Sequence, residues 1–146
     1  MPDVLIAYTT RGGATKKIAE MIAEGIRLEG LEAEVLSIST IKEEKPLAGY
    51  RGYVFGAPTY HGEMIQPMKT FLFLAEKADL GGKVGGAFGA FGWSGEAPDR
   101  IYQTMKNIFN MNMVSDALRL KSVSLGGGVQ MAQEYGRSIV QKLKAA

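Results

Sequence analysis

Ala7-Tyr8-Thr9-Thr10-Arg11-Gly12-Gly13-Ala14-Thr15-Lys16-Lys17-Ile18-Ala19 is the stretch whose reading decides the fold. An apolar run, Val4 to Tyr8, leads into a short loop of hydroxyls and glycines. A helical pattern starts at once, with Ile18, Met21, Ile22, Gly25 and Ile26 at three- and four-residue intervals. A loop at the mouth of a helix is a ready anion site. The first-turn N–H groups lack partners within the helix, and the aligned peptide dipoles favour negative charge there. Thr9, Thr10 and Thr15 can add hydroxyl donors, and Gly12 and Gly13 allow the backbone to approach a phosphate. The competing reading is a tight strand-to-helix turn capped by threonine. The loop has neither the Gly-x-x-x-x-Gly-Lys-Ser/Thr of a P-loop nor the Gly-x-Gly-x-x-Gly of a dinucleotide site. Its hydroxyls suit a terminal phosphate monoester, which points towards a mononucleotide.

Working outward, strands and helices alternate to the end of the chain. Glu32–Ile38 reads as a second strand, whose charged start suggests a sheet edge. Residues 39–51, interrupted by Pro46 and Gly49, read as a loop with at most a short helix. Gly52–Ala57 is a third strand, followed by the loop Pro58-Thr59-Tyr60-His61-Gly62-Glu63. The next helix carries Met64, Met68, Phe71, Leu72 and Ala75 inward, with Pro67 confined to its first turn and Glu63 at its start. Lys83–Phe91 is a fourth strand, rich in glycine, which lets helices approach the sheet closely. Then come the loop Gly92-Trp93-Ser94-Gly95-Glu96-Ala97 and a helix opened by Pro98, burying Ile101, Met105, Ile108 and Phe109. Met111 and Met113 read as the packed end of that helix. A fifth strand is expected over Leu118–Leu125, and a last helix over Val129–Leu143 with Met131, Tyr135, Ile139 and Leu143 inward.

Such alternation predicts a parallel sheet with helices on both faces and right-handed crossovers. Ligands of these sheets sit outside the carboxyl ends of the strands, at the switch point in strand order. The loops after strands one, three and four all lie on that rim.

Composition narrows the chemistry. One domain over residues 1–146 is expected, with a core of ordinary size. There is no cysteine and one histidine, which excludes disulfides, iron–sulfur clusters and thiol chemistry and argues against a metal site. A net charge of +2 is too small to imply nucleic acid. No basic leader precedes the first strand, and no apolar run approaches the roughly 20 residues of a membrane span. A cytoplasmic protein is the expectation.

Together the loops resemble those of a flavodoxin. Tyr8 to Ala19 resembles the phosphate loop of short-chain flavodoxins, and more closely still the flavodoxin module of flavodiiron proteins. Gly56-Ala57-Pro58-Thr59-Tyr60 resembles their second loop and Phe91 to Ala97 their third. The resemblance covers essentially the whole chain in order. It implies a flavodoxin-like three-layer α/β/α sandwich with a five-stranded parallel sheet in the order 2-1-3-4-5. That order is the fold's known arrangement, not a reading of spacing. The chain lacks room for the long insertion that other flavodoxins carry in strand five.

The resemblance implies FMN as cofactor. Carried over by position, Thr10, Arg11, Gly12, Gly13, Ala14 and Thr15 would surround its phosphate. Family members often have asparagine where Ala14 stands and a hydroxyl where Gly12 stands, so Arg11 either pairs with the phosphate or is simply solvated. Pro58, Thr59, Tyr60, His61 and Gly62 would flank the flavin ring from one side, and Gly92, Trp93, Ser94 and Gly95 from the other. Gly62 is the counterpart of a glycine whose peptide reorients with the redox state. His61 either tunes the potential or is an exposed loop residue. No catalytic side chain and no metal are expected.

The function implied is electron transfer between a reductase and an acceptor, by a monomer or weak dimer. The pI near 8.8 departs from the strongly acidic flavodoxins, so docking electrostatics must differ. Two enzymatic alternatives share the fold: an FMN-dependent NAD(P)H:quinone oxidoreductase and an oxygen-dependent haem-precursor oxidase. Both usually carry extra loop segments that this chain lacks.

Overall fold

The computed structural model describes residues 2–60, 63–91, 96–121 and 126–145. Strand β1 (Val4–Tyr8) lies buried along its whole length, as a run apolar on both faces requires. It pairs in parallel with β2 (Ala33–Ser37) on one side and β3 (Gly52–Gly56) on the other, so that Ile6 faces Val35 and Val54. β3 pairs in parallel with β6 (Val84–Ala90). The fifth position is divided between β7 (Asn112–Met113) and β8 (Leu118–Leu120), each pairing in parallel with β6. The order is β2-β1-β3-β6-β7/β8, the expected 2-1-3-4-5.

Helix α1 (Ala14–Leu28) turns Ile18, Ala19, Ile22, Ala23 and Ile26 onto the sheet. It ends where Gly30 takes a left-handed conformation, with φ 89°. The Gly30 N–H donates to the Arg27 carbonyl and the Leu31 N–H to that of Ile26, closing the helix with a paired set of carbonyls. Helix α4 (Gly128–Ala145) packs beside α1 on the same face. The two helices meet at glycines. A Cβ on Gly25 would lie 2.1 Å from the Gln133 carbonyl oxygen, and one on Gly136 would lie 2.2 Å from that of Ile22.

The opposite face is covered by α2 (Gln66–Glu76), α3 (Glu96–Asn107) and the segment after β2, which contains two single turns, Ile38–Thr40 and Lys45–Leu47. Its core carries a chain of edge-on aromatic contacts, Tyr50–Tyr53–Phe55–Phe71, with centroids 5.0 to 6.2 Å apart. The glycines of β6 serve as expected: Gly86 admits Ile139 and Tyr135 of α4, while Gly89 admits Pro98 of α3 and the Ala57 carbonyl.

Several boundaries differ from the sequence reading. Among the described residues, strand five begins earlier than Leu118, at Asn112, and includes Leu118–Leu120. It breaks over residues 114–117, and residues 122–125 lie outside the described residues. Tyr135 fills the break: its hydroxyl accepts from the Ala87 N–H at 3.0 Å and donates to the Asp116 carbonyl at 2.7 Å. Met113 lies in β7, not at a helix end. α3 stops at Asn107 because Asn110 takes a left-handed turn (φ 57°), which buries Phe109 and leaves Ile108 56% exposed. Met131 also points outward, because the close-packed side of α4 is set by Gly128, Ala132 and Gly136. Glu63 belongs to a short antiparallel ribbon, β4 (Thr59–Tyr60) with β5 (Glu63–Met64), and α2 begins only at Gln66.

Candidate functional site

β1, β3 and β6 are adjacent and parallel, so their carboxyl ends share one rim. Backbone bonds link these ends. The Thr9 N–H donates to the Gly56 carbonyl at 3.0 Å, and the Ala57 N–H to that of Phe88 at 3.2 Å. α1 leaves β1 over one face and α2 leaves β3 over the other. The crevice between the ends of β1 and β3 is therefore the switch point where such sheets bind ligands.

The first loop forms the floor of that crevice. The Thr10 hydroxyl accepts from the Gly13 N–H at 3.0 Å, which closes the loop on itself. Its own proton remains for a further acceptor. Gly13 precedes the first turn of α1 with φ 90°, which glycine tolerates, and no side chain caps the helix there. Around Gly12 and Gly13 a Cβ would meet nothing within 4 Å, so the loop is open to a ligand. Thr15 is 1% exposed, yet its Oγ1 has no hydrogen-bond partner among the described residues. An unpaired buried hydroxyl costs about 1–3 kcal/mol, so its persistence calls for an acceptor that completes it.

Charge separates this helix start from α3. α3 carries Glu96 and Asp99 in its first turn, where carboxylates complement the dipole. α1 carries no acid there and instead has Lys16 and Lys17, both exposed. Two cations at the positive end of a helix are unfavourable alone and become favourable around a bound anion. These features fit a phosphate monoester at the N-terminus of α1.

The second loop is tied to the start of α3 by a contact the sequence did not disclose. The Thr59 hydroxyl accepts from the Ala97 N–H at 3.0 Å, capping α3 from across the rim. Pro58 and Thr59 stand half-buried beside it. A threonine followed by a glutamate-opened helix elsewhere in the chain has no local signature, so only the fold exposes this role. Arg11 is exposed at the lip of the first loop, and Ala14 is half-buried at the start of α1. The structure thus brings Thr10, Arg11, Gly12, Gly13, Ala14, Thr15, Pro58 and Thr59 to one rim. His61, Gly62, Gly92, Trp93, Ser94 and Gly95, and the side chain of Tyr60, lie outside the described residues. Among the described residues no cluster of histidine and carboxylate side chains could hold a metal ion.

Comparison with known proteins agrees with this geometry. A family model described as "Flavodoxin domain" matches residues 5–144. Diflavin flavoprotein A 6 of Nostoc sp. is 32% identical over 146 residues, covering 98% of this chain and 25% of that protein. Type A flavoprotein fprA of Rhodobacter capsulatus is 28% identical, covering 96% of this chain and 33% of its own length. This chain therefore spans a quarter to a third of those curated relatives. Among solved structures, a flavodoxin from the domain Archaea superposes with a TM-score of 0.90 at 30% identity, covering 97% of this chain and 98% of that one.

Proposed function

We propose that this chain, which belongs to the flavodoxin domain family, binds FMN and acts as an electron-transfer protein between a reductase and an acceptor. The observation that carries the cofactor assignment is the buried, unpartnered Thr15 Oγ1 beneath an uncapped helix start flanked by two lysines. A carrier needs a firmly held cofactor, and a phosphate is the handle by which this rim would hold it. The Thr10 and Thr15 hydroxyls and the first-turn amides of α1 would bind the phosphate. Lys16 and Lys17 would balance its charge, which is favourable at that helix end.

FMN supplies the redox chemistry when bound, and the chain's own residues orient it and exclude water. The Thr59–Ala97 bond supports this reading by fixing the second loop against the start of α3. Residues 58–62 and 92–95 would contact the ring. No acid, base or nucleophile among the described residues is required. No helix among those residues is long and apolar enough to cross a membrane, and a cytoplasmic setting is part of the proposal. The longer relatives combine this module with further sequence, so their activities are not assigned to this chain. Nothing in the geometry favours the quinone reductase.

The test is spectroscopic. FMN-loaded protein is mixed with NADPH, then NADH, in the absence of oxygen, and the visible flavin band is followed. The carrier reading expects no bleaching until a separate flavodoxin reductase is supplied, and then complete bleaching. Rapid bleaching by either nucleotide alone overturns it. A chain that retains no FMN overturns the cofactor assignment as well.

A further inference from the structure

The ribbon of β4 and β5 leaves the sheet just after β3, on the border of the crevice between β1 and β3. At its root, the Ala57 carbonyl and the Pro98 ring of α3 close over Gly89, where a Cβ would lie 2.1 Å from the first and 2.8 Å from the second. On its far strand Met64, 7% exposed, packs into the core of the α2–α3 face. On its near strand the Thr59 hydroxyl accepts from the Ala97 N–H at 3.0 Å.

These contacts differ in kind. The closure over Gly89 fixes a point, and the apolar packing of Met64 has no direction of its own. The Thr59 bond is directional, so it fixes how the ribbon is turned about that point. It is also hard to replace. Ala97 is fully buried and its N–H lies in the first turn of α3, where no acceptor exists within the helix. A buried donor left bare is costly, which keeps the bond closed. An ordinary helix cap is the residue just before the helix. Here the acceptor comes from 38 positions earlier in the chain, on the border of the crevice.

The phosphate end is anchored elsewhere. Thr10 closes the first loop through the Gly13 N–H, and the Thr9 N–H joins that loop to the Gly56 carbonyl. Neither bond passes through Thr59. The two ends of the crevice are thus held by separate contacts.

We propose that Thr59 is a positioning residue for the flavin ring. By capping α3 it sets the angle of the ribbon, and with it the wall against which the ring lies, without acting on the phosphate. The inference rests on the flavin reading above and divides that site into two independent halves. Riboflavin, which lacks the phosphate, should sense Thr59 and not Thr15.

The experiment measures Kd for FMN and for riboflavin on the full chain freed of flavin, by quenching of flavin fluorescence. Thr59→Val keeps the β-branched shape and removes the acceptor. It is expected to raise both Kd values about tenfold, with their ratio constant to within about threefold. Thr59→Ser keeps the acceptor and should stay within about threefold of the wild type for both flavins. Thr15→Val should raise the FMN value alone. A further measurement needs no variant. Exchange of the Ala97 amide with solvent deuterium, followed by NMR, should slow about tenfold when riboflavin binds, because the ring holds the ribbon against α3. Unchanged exchange overturns the proposal. So does a folded Thr59→Val chain that binds both flavins as the wild type does, since the bond would then be a helix cap and no more. A Thr59→Val chain that loses FMN but not riboflavin, a serine variant as weak as the valine one, or a Thr15→Val chain that loses both flavins equally also overturns it. A wild type that binds FMN but not riboflavin overturns it too, because the ring wall then contributes no affinity. A wild type that binds neither flavin overturns the cofactor reading and this one with it, whereas every other adverse result overturns this one alone.

Discussion

Replacing Thr15 by valine tests the phosphate site through two effects of opposite sign. Valine is close to threonine in shape and is also β-branched, so the helix start and its packing are preserved. The change removes a hydroxyl that is 1% exposed and has no partner among the described residues. In the apoprotein that removal relieves an unmet desolvation cost. The gain should be about 1 kcal/mol, towards the lower end of the range for such groups. In the presence of FMN the same change deletes a hydrogen bond to a charged acceptor. Bonds of that kind contribute about 1.5–3 kcal/mol, which corresponds to a roughly 10- to 150-fold rise in Kd. Urea unfolding of the apoprotein measures the first effect, as an upward shift of the midpoint with an unchanged slope. Titration of the apoprotein with FMN, followed by quenching of flavin fluorescence, measures the second. A general packing defect would lower both stability and affinity. The reasoning is refuted if Thr15→Val destabilises the apoprotein and leaves the FMN affinity unchanged.

Further predictions concern what holds the scaffold. Gly25→Ala and Gly136→Ala each gain about 1 kcal/mol of helix propensity. Each also sets a Cβ about 2 Å from a backbone carbonyl that no rotamer change can move. The clash should win by about 1–3 kcal/mol in thermal unfolding, and the double variant should cost less than the sum because both changes force the same helices apart. Tyr135→Phe strands the Ala87 N–H and the Asp116 carbonyl, and should lower the urea-derived stability by about 1–3 kcal/mol. A loss below about 0.3 kcal/mol would mean that water replaces the hydroxyl. The Glu32 N–H and then Arg51 hold the Asp3 carboxyl below its usual range. A depressed folded pKa gives stability that is present above the ordinary carboxylate range and lost as pH falls through the lowered value. Asp3→Asn should therefore be less stable than the wild type near neutrality, and the gap should narrow in acid.

The first loop and α1 were legible because every cue there is local: an apolar run, paired glycines, hydroxyls and a clean helical period within a few residues. The order of the sheet came from the resemblance alone; alternation predicted only parallel strands with helices on both faces. What the sequence hid was non-local. Ile108 continues the spacing of Ile101 and Met105, and only the left-handed turn at Asn110 takes it out of the core. Met131 looked like a core residue because size marks burial in a pattern. The true contact side of α4 is marked by smallness, at Gly128, Ala132 and Gly136. The residues 118–125 alternate as a strand should, yet the fifth position begins at Asn112 and is interrupted. Two-residue strands such as β4 and β5 carry no period at all. The Thr59–Ala97 cap joins residues 38 apart in sequence, which no motif relates.

The interruption of the fifth strand also affects how the molecule behaves in company. An open sheet ends in rows of unpaired amides and carbonyls, which can template the addition of foreign strands. Among the described residues that border is cut into pieces of two and three residues. Between them, the Tyr102 hydroxyl donates to the Val114 carbonyl and the Tyr135 hydroxyl to that of Asp116, so two of the groups an incoming strand would need are already engaged. On β8, Arg119 is held by Asp99 and places a charged pair where a flat edge would invite stacking. The irregularity that made this segment hard to read is thus a guard against aggregation, and straightening it would give a longer strand and a less soluble protein.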